Sequence, residues 1–406
     1  MRYDQVIIGA GVIGAASAYH LKRDNPEMEL ILIDKGDRAG AGNTSRSAAL
    51  YRNIFSSNAS KTLSTSSISY YEELGYEIQL DPIGYLWMFS KDQWRMSKPA
   101  IDTLDPQRDE LEFPGSHEIS EILNINVEEE NGFPGIHRGI LGHRCGSLSG
   151  MGLAQHYADL FQDLGGDIQY GSEVIGLDLA GIDPENRPWA EPVAKAVNLA
   201  DGDPIGGKGF LFATGAWTHE LLSRIGIFAG VLPKKRQLFG IKIKDPADMT
   251  SIDAGGNIPA MILPAGGVYI KPLLKGKMIF VGLADDLGRP YSLEDSDSEE
   301  DFFHGSIEPV LNHYFPNLRD YQLRSSWAGH YSYHWPDKNP VIESVSNIHW
   351  SSGTSGSGIM KADAIGRITA DEILGNRYST LHDGNRFRVS DLSLRKRRVQ
   401  LESFVI

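Results

Sequence analysis

The chain has 406 residues, 41% of them hydrophobic, with 39 Lys+Arg against 53 Asp+Glu and a formal net charge of −14. That length suits two domains of ordinary size, and an acidic chain without a basic patch argues against nucleic acid as a partner. One cysteine, Cys145, excludes an intrachain disulfide, and 12 scattered histidines with neither HExxH nor CxxC leave no metal site expected.

The apolar runs are strand-sized, so no transmembrane segment is expected. The first strand starts almost at once, leaving no room for a signal peptide. These features together predict a cytoplasmic protein, with peripheral membrane association left open. The basic run at 395–398 (RKRR) has no aromatic interleaving and reads as a solvated or subunit-facing segment, so an oligomer is allowed.

In chain order, residues 6–14 (VIIGAGVIG) come first: a buried strand running into Gly9, Gly11 and Gly14, then a helix over about 12–22. Gly9 allows the tight turn, Gly11 lets a diphosphate approach the backbone, and Gly14 lets the helix pack on the sheet. The helix N-terminus, with Val12 and Ile13, offers N–H groups and a positive dipole end. A second strand, 29–34, ends in Asp34, about twenty residues past Gly14, where an acid suits an adenosine ribose. The pattern points to a bound dinucleotide, FAD or NAD.

Residues 35–52 are almost all small or polar, where an NAD fold would proceed to a third strand. Such a loop can lie along an extended ligand; a surface linker is the competing reading. Lys35, Asn43, Thr44, Ser45, Arg46, Ser47 and Ala48 are its expected ligand contacts. Arg52 is a candidate clamp for a substrate carboxylate, with a structural ion pair as the alternative. A helix is expected over 61–74 and a strand over 83–90, with Tyr85 and Trp87 on one face and Leu86 and Met88 on the other. Residues 91–135 read as helical pieces carrying no chemistry.

A helix is expected over 152–164, then strands near 167–170 and 173–178, with Val174 at the ligand. An apolar strand over 209–215 closes on Ala213, Thr214 and Gly215, with a helix from Trp217. Four successive strands at 236–244, 258–263, 267–272 and 277–283 form an antiparallel block, with Ile241 and Ile243 buried against wet Lys242 and Lys244. Residues 285–301 read as an acidic, solvated loop and 301–314 as a helix. Residues 327–342 (WAGHYSYHWPDKNPVI) read as aromatic and turn-rich. After a strand at 348–350, residues 351–361 (SSGTSGSGIMK) form a second glycine-rich loop opening a helix over about 358–374. Gly356, Ser357, Gly358, Ile359, Met360 and Lys361 are assigned to the ligand there. One NAD does not need this second loop; a ligand long enough to reach from adenine to a redox ring does.

With VIIGAGVIGAASAYHL and Asp34, GAGNTSRSAALYR, FLFATGAWTHELL, WAGHYSYHWPDKNPVI and SSGTSGSGIMKADAIGRITADEI in view, the chain resembles the D-amino-acid-oxidase-like (DAO) superfamily of FAD-dependent amine oxidoreductases. That group includes sarcosine and glycine oxidases, dimethylglycine dehydrogenase and dye-linked L-proline dehydrogenases. SRSAALYRNIFSS, GYLW, PKKR, WAGHY and GTSGSGIMK are most similar to the archaeal dye-linked L-proline dehydrogenases.

The resemblance implies an α/β two-domain fold: a Rossmann-like FAD-binding domain built discontinuously from 1–80, 145–225 and 320–380, a mixed-sheet substrate domain from 81–144 and 226–319, and a C-terminal tail, 381–406. It implies non-covalent FAD, because Gly329 stands where several relatives attach flavin through a cysteine, and Ser45 and Arg46 where others use a histidine. Monomeric sarcosine oxidases resemble this chain at Lys271, a lysine over the flavin. Their carboxylate-binding lysine falls at Met360 or Lys361.

The implied activity is oxidation of an amino acid or secondary amine, L-proline-like or sarcosine-like. Hydride leaves the Cα–H or N-substituent C–H for flavin N5 and an imine results. Arg52 would hold the carboxylate with Tyr85 or Lys271, and His330 and Tyr331 would stand near the amine; His330 as a structural histidine is the alternative. Electrons would pass to oxygen, a quinone, a dye or a partner subunit. A flavin-binding subunit without its own substrate and an NAD(P) dehydrogenase are the competing functions.

Overall fold

The strand Arg2–Ile8 sits at the centre of an eight-stranded sheet because its neighbours bury it on both sides. It pairs in parallel with Leu30–Ile33 and with Ile205–Phe212, and Ile8 lies level with both Ile33 and Phe212. The computed structural model in which these elements are seen describes residues 2–180, 191–250, 258–284, 288–293 and 296–405.

The sheet order is Val341–Val345, Ile348–Ser352, Ile205–Phe212, Arg2–Ile8, Leu30–Ile33, Asp167–Gln169, with the Val174–Ala180 and Val193–Leu199 hairpin paired onto Ile205–Phe212. Alternation along Arg2–Ile8 serves two cores. Ile7 packs under the helices, and Val6 and Ile8 pack on the other face with Phe210, Phe212 and Trp350. Because the parallel strands end level, Gly9, Asp34 and Ala213 emerge at one edge, the carboxyl edge where ligands bind in sheets of this type.

The helix Val12–Asp24 packs against Gly150–Asp163 and Ala362–Ile373. Small residues permit this: Ala15, Ala16 and Ala18 are fully buried, and a Cβ on Gly366 would meet the backbone carbon of Ala16 at 2.8 Å. His20 Nε2 lies 2.8 Å from Asp363 Oδ1, Tyr157 donates to the same oxygen at 3.1 Å, and Arg367 Nε donates to Oδ2 at 2.7 Å. Burial pushes the Asp363 carboxyl up, yet His20 and Arg367 hold it well below the usual range. The helices that follow the two glycine-rich loops are thus clamped to each other.

The second sheet runs Gln322–Tyr333, Leu232–Lys242, Met278–Leu283, Val268–Leu273, Ala260–Ile262, Tyr85–Phe89, Arg138–Gly142, Leu111–Glu112. All its pairs are antiparallel except Ala260–Ile262 with Tyr85–Phe89. Leu86 and Met88 enter a core with Phe239, Ile241 and Phe303, while Tyr85 and Trp87 turn to the opposite cluster with Leu238 and Tyr269, as their alternation predicts.

Three expectations are corrected. Much of the segment read as turn-rich at 327–342 is strand: Gln322–Tyr333 pairs along the whole of Leu232–Lys242, so the expected boundary at 320 is followed by a strand of the second sheet. Its aromatics are cross-strand packing residues, which a turn-based reading of Gly, His and Pro obscures. The helix expected at 301–314 has a π-helical stretch, Phe303–Ile307, in its middle. The basic run is not simply solvated: Arg397 forms a fork on Asp337, with Nη2 2.6 Å from Oδ1, and Arg395 pairs with Glu343. Part of the acidic loop at 285–301 lies outside the described residues; its Glu299 pairs with Lys235 and Arg289. Among the described residues no group of His, Cys, Asp and Glu is placed to hold a metal, and no helix is long and apolar enough to cross a membrane.

Candidate cofactor and substrate site

A cavity of about 830 Å³ opens at the carboxyl edge of the first sheet and runs under the second. Gly9, Gly11, Val12 and Ile13 line it at one place and Gly356, Ser357, Gly358, Ile359 and Met360 at another. The two glycine-rich loops, far apart in sequence, therefore share one cavity. Its size is at the large end for small-molecule sites.

Backbone geometry makes the first wall. Gly9 has φ of 101°, and a Cβ there would meet the Ala213 carbonyl oxygen at 2.6 Å. Gly14 does not line the cavity; a Cβ on it would meet the Gly9 carbonyl oxygen at 1.8 Å, so it seats the helix on the turn. Asp34 lines the cavity and holds the turn together, its carboxylate accepting from Ala10 N and Gly36 N, each at 2.6 Å. Lys35 is also in the wall, its ammonium 4.5 Å over the Trp217 ring.

The small-residue loop lies along the cavity rather than in solvent. Asn43, Thr44, Arg46, Ser47 and Ala48 all line it. Thr44 Oγ1 accepts from Val12 N at 3.2 Å, tying the loop to the helix start. Asn43 Oδ1 accepts from His330 N at 3.0 Å, and Trp327 Nε1 donates to the Arg46 carbonyl at 2.8 Å, tying it to the second sheet. Ser45 faces away and donates to the Ala41 and Gly42 carbonyls. Gly329 backs the loop: a Cβ there would stand 3.1 Å from Asn43 Oδ1. Val174, Ala213, Thr214, Gly215 and Trp217 complete this end. Ala49 and Ser355, non-glycine residues with φ of 48°, are both in the wall.

At the other end stand Arg52, Tyr85, Tyr269, His330 and Tyr331. Arg52 is 4% exposed. It donates to the Ile54 and Phe404 carbonyls and lies 4.2 Å over the Phe55 ring and 5.2 Å from that of Trp87. No carboxylate forms an ion pair with it among the described residues, so the structural ion pair considered for it is not found. Burial lowers its pKa and the field of Glu402 opposes that. The oxygens of Glu402 are taken up by Ser56 and Ser57. Burial raises the phenol pKa values of Tyr85, Tyr269 and Tyr331, keeping them protonated donors. The His330 ring meets Trp217 edge to face at 6.2 Å.

The two lysines stand one layer behind the wall. Lys271 Nζ donates to the Ala48 carbonyl at 2.8 Å, and burial lowers its pKa to about 8. Lys361 is fully buried, donating to Ser60 Oγ at 2.8 Å and Ser357 Oγ at 2.7 Å, and burial lowers its pKa to about 7. Its alignment partner Met360 is the residue in the wall. Between about pH 7 and its ordinary value of 10.5, the unfolded chain holds a proton on Lys361 that the folded chain sheds, so stability rises with pH across that window. Lys361→Met is expected to gain up to a few kcal/mol in urea unfolding at pH 6 and to lose most of that gain by pH 10; a pH-independent difference would show that the amine is not penalised by burial.

Tyr269 and Val405 also line the cavity, and the sequence reading selects neither. Tyr269 shares a strand face with Lys271, so period-two alternation could have found it. Val405 lies in a tail with no pattern to mark it.

A family model described as FAD dependent oxidoreductase (DAO) matches residues 4–372. The chain is 23% identical over 419 residues to FAD-dependent oxidoreductase domain-containing protein 1 of Xenopus laevis, covering 94% of this chain and 81% of that protein. It is 27% identical over 389 residues to a glycine oxidase of Pseudomonas aeruginosa, covering 91% and 94%. In three dimensions it is similar in fold to L-proline dehydrogenase from P. horikoshii, with a TM-score of 0.75 at 22% identity over 92% of this chain and 94% of that one.

Proposed function

For this chain, which belongs to the DAO family of FAD-dependent oxidoreductases, we propose the oxidation of a small carboxylate-bearing amine, L-proline-like or sarcosine-like, to its imine. The observation that carries the reading is Arg52: a buried guanidinium in the cavity wall, oriented by two carbonyls and matched by no carboxylate among the described residues. A buried charge is retained against a cost of several kcal/mol, and a planar fork suits a ligand carboxylate.

The residues present fit FAD. A turn with no room for a Cβ at Gly9, a helix start beside it and a second glycine-rich loop border one elongated cavity. Gly9–Ile13 with Thr44 would hold the diphosphate, Asp34, Lys35 and Val174 the adenosine end, Ala213–Gly215 and Trp217 the middle, and Gly356–Met360 the ring end. Attachment through the chain's one cysteine is not open to the flavin, which supports a non-covalent cofactor: Cys145 is buried with Sγ on Asn53 Oδ1 at 3.3 Å and is not in the wall. An NAD(P) dehydrogenase is set aside, since the family is FAD-dependent.

When bound, FAD supplies the two-electron acceptor for the hydride that leaves the amine-bearing carbon. The chain supplies position and field. Arg52 binds the carboxylate, and Tyr85 and Tyr331 flank it as protonated phenols. A low-dielectric pocket that already holds the Arg52 charge disfavours an ammonium, so the amine binds with its lone pair available. His330 stands at the amine end. Lys271 and Lys361 act through Ala48 and Ser357 rather than by touching substrate.

Anaerobic mixing with L-proline, sarcosine, glycine and a panel of D-amino acids tests the reading. At least one carboxylate-bearing amine is expected to bleach the flavin. If none does, a flavin-binding subunit without its own substrate takes its place. Oxygen uptake by the active pair then separates oxidase from dehydrogenase.

A further inference from the structure

Past Leu401 the tail alternates between buried and exposed residues and reaches the cavity wall at Val405. Leu401 is 58% exposed, whereas Glu402 is 0% and Phe404 2% exposed. The descent is built rather than incidental. Glu402 Oε1 accepts from Ser56 N at 2.8 Å and Ser56 Oγ at 2.9 Å, and Oε2 from Ser57 N at 2.9 Å and Ser57 Oγ at 2.8 Å. Ser403 N donates to Ser56 Oγ at 2.8 Å. Phe404 N also donates to Oε1 at 2.9 Å, and a buried carboxylate satisfied by five donors is a strong, directional anchor. It places the Phe404 ring edge to face on Trp87 at 5.3 Å and the Phe404 carbonyl on the Arg52 guanidinium, with Val405 in the wall beside it.

We propose that the tail Glu402–Val405 sets the specificity of the substrate pocket: the Phe404 carbonyl positions Arg52, the Phe404 ring seats the tail on Trp87, and Val405, in the wall, limits the length of the carboxylate that fits. A guanidinium has five N–H donors in one plane. A carbonyl from Ile54 and one from Phe404 fix that plane without neutralising it, so the direction from which a carboxylate can dock is set by the tail. Val405, held in place by the Phe404 ring packed on Trp87, then bounds the space behind the carboxylate carbon. Phe404 is thus a positioning residue that acts through Arg52. The inference rests on the reading of Arg52 as a carboxylate clamp.

The test is equilibrium binding of linear carboxylates, acetate to hexanoate, to the FAD-loaded protein, followed by tryptophan fluorescence and the visible flavin spectrum. The wild type is expected to prefer the short acids, with binding abolished in Arg52→Ala. Phe404→Ala should move the hexanoate-to-acetate affinity ratio about tenfold toward hexanoate, with Phe404→Leu between. Val405→Trp, at a partly exposed position that should tolerate the change, should move it the other way. Flavin content and melting temperature accompany each variant, so a misfolded Phe404→Ala leaves the Val405→Trp shift to decide. Arg52-dependent binding with an unchanged ratio in the folded variants overturns the wall alone. Absence of carboxylate binding in the wild type, or equal binding by Arg52→Ala, overturns the clamp and the wall with it.

Discussion

Gly9→Val is expected to yield a protein that purifies without flavin. Two effects act at this position, and their sizes differ. A branched residue at φ of 101° is strained by a few kcal/mol at most, which a stable fold could absorb. The contact is harder to relieve. The Cβ would stand 2.6 Å from the Ala213 carbonyl oxygen, and that oxygen is backbone at the end of a neighbouring parallel strand. Relief requires moving the level strand ends that make the cavity edge. Gly14→Val should act alike, its Cβ meeting the Gly9 carbonyl oxygen at 1.8 Å. Gly176→Ala is the control: nothing lies within 4 Å of the added carbon, and flavin content should equal the wild type's. The ratio of flavin to protein absorbance checks all three. Full loading of Gly9→Val would remove the first glycine turn from the cofactor site.

Arg52→Ala is expected to keep its flavin and to raise KM for a carboxylate-bearing substrate by about a hundredfold. That is the loss of two charge-assisted hydrogen bonds at about 1.5 kcal/mol each. Loss of binding common to ground state and transition state appears in KM more than in kcat. Arg52→Lys should recover only part, because a point charge cannot reproduce a planar fork. Substrates without the carboxylate sharpen the test. Wild type should favour the acid over its decarboxylated analogue, pyrrolidine in the case of proline, and Arg52→Ala should barely discriminate. An unchanged KM, or an equal loss for both substrates, would return Arg52 to a structural role.

Why some of this site is legible before folding and some is not follows from the range of the interactions. The first turn is local: strand, three glycines and helix lie within one short stretch, with Gly14 answering a contact at Gly9 and Gly9 one at the end of the adjoining strand. Tyr85 and Trp87 against Leu86 and Met88 is a period-two pattern, read from spacing alone. Residues 327–333 fail the same reading because a strand rich in His, Tyr and Gly, followed closely by Pro336, resembles a turn until Leu232–Lys242 pairs with it. The lysines differ in another way. Lys271 and Lys361 have the right chemistry and the right neighbours in sequence, yet Ala48 and Ser357 stand between them and the cavity.

The order of residues alone determined that a strand–glycine turn–helix of the dinucleotide-binding type stands at residues 6–22, that a second glycine-rich loop opens a late helix, and that the family is one of FAD oxidoreductases, because those signals are short backbone patterns at fixed spacing. Only the tertiary structure decided that both loops line one cavity, that Arg52 lies there without a carboxylate partner among the described residues, and that the Phe404 carbonyl meets Arg52 with Val405 in the wall. Those facts rest on backbone carbonyls and packed faces contributed by distant segments, and no local pattern of side chains encodes where a distant carbonyl will come to rest.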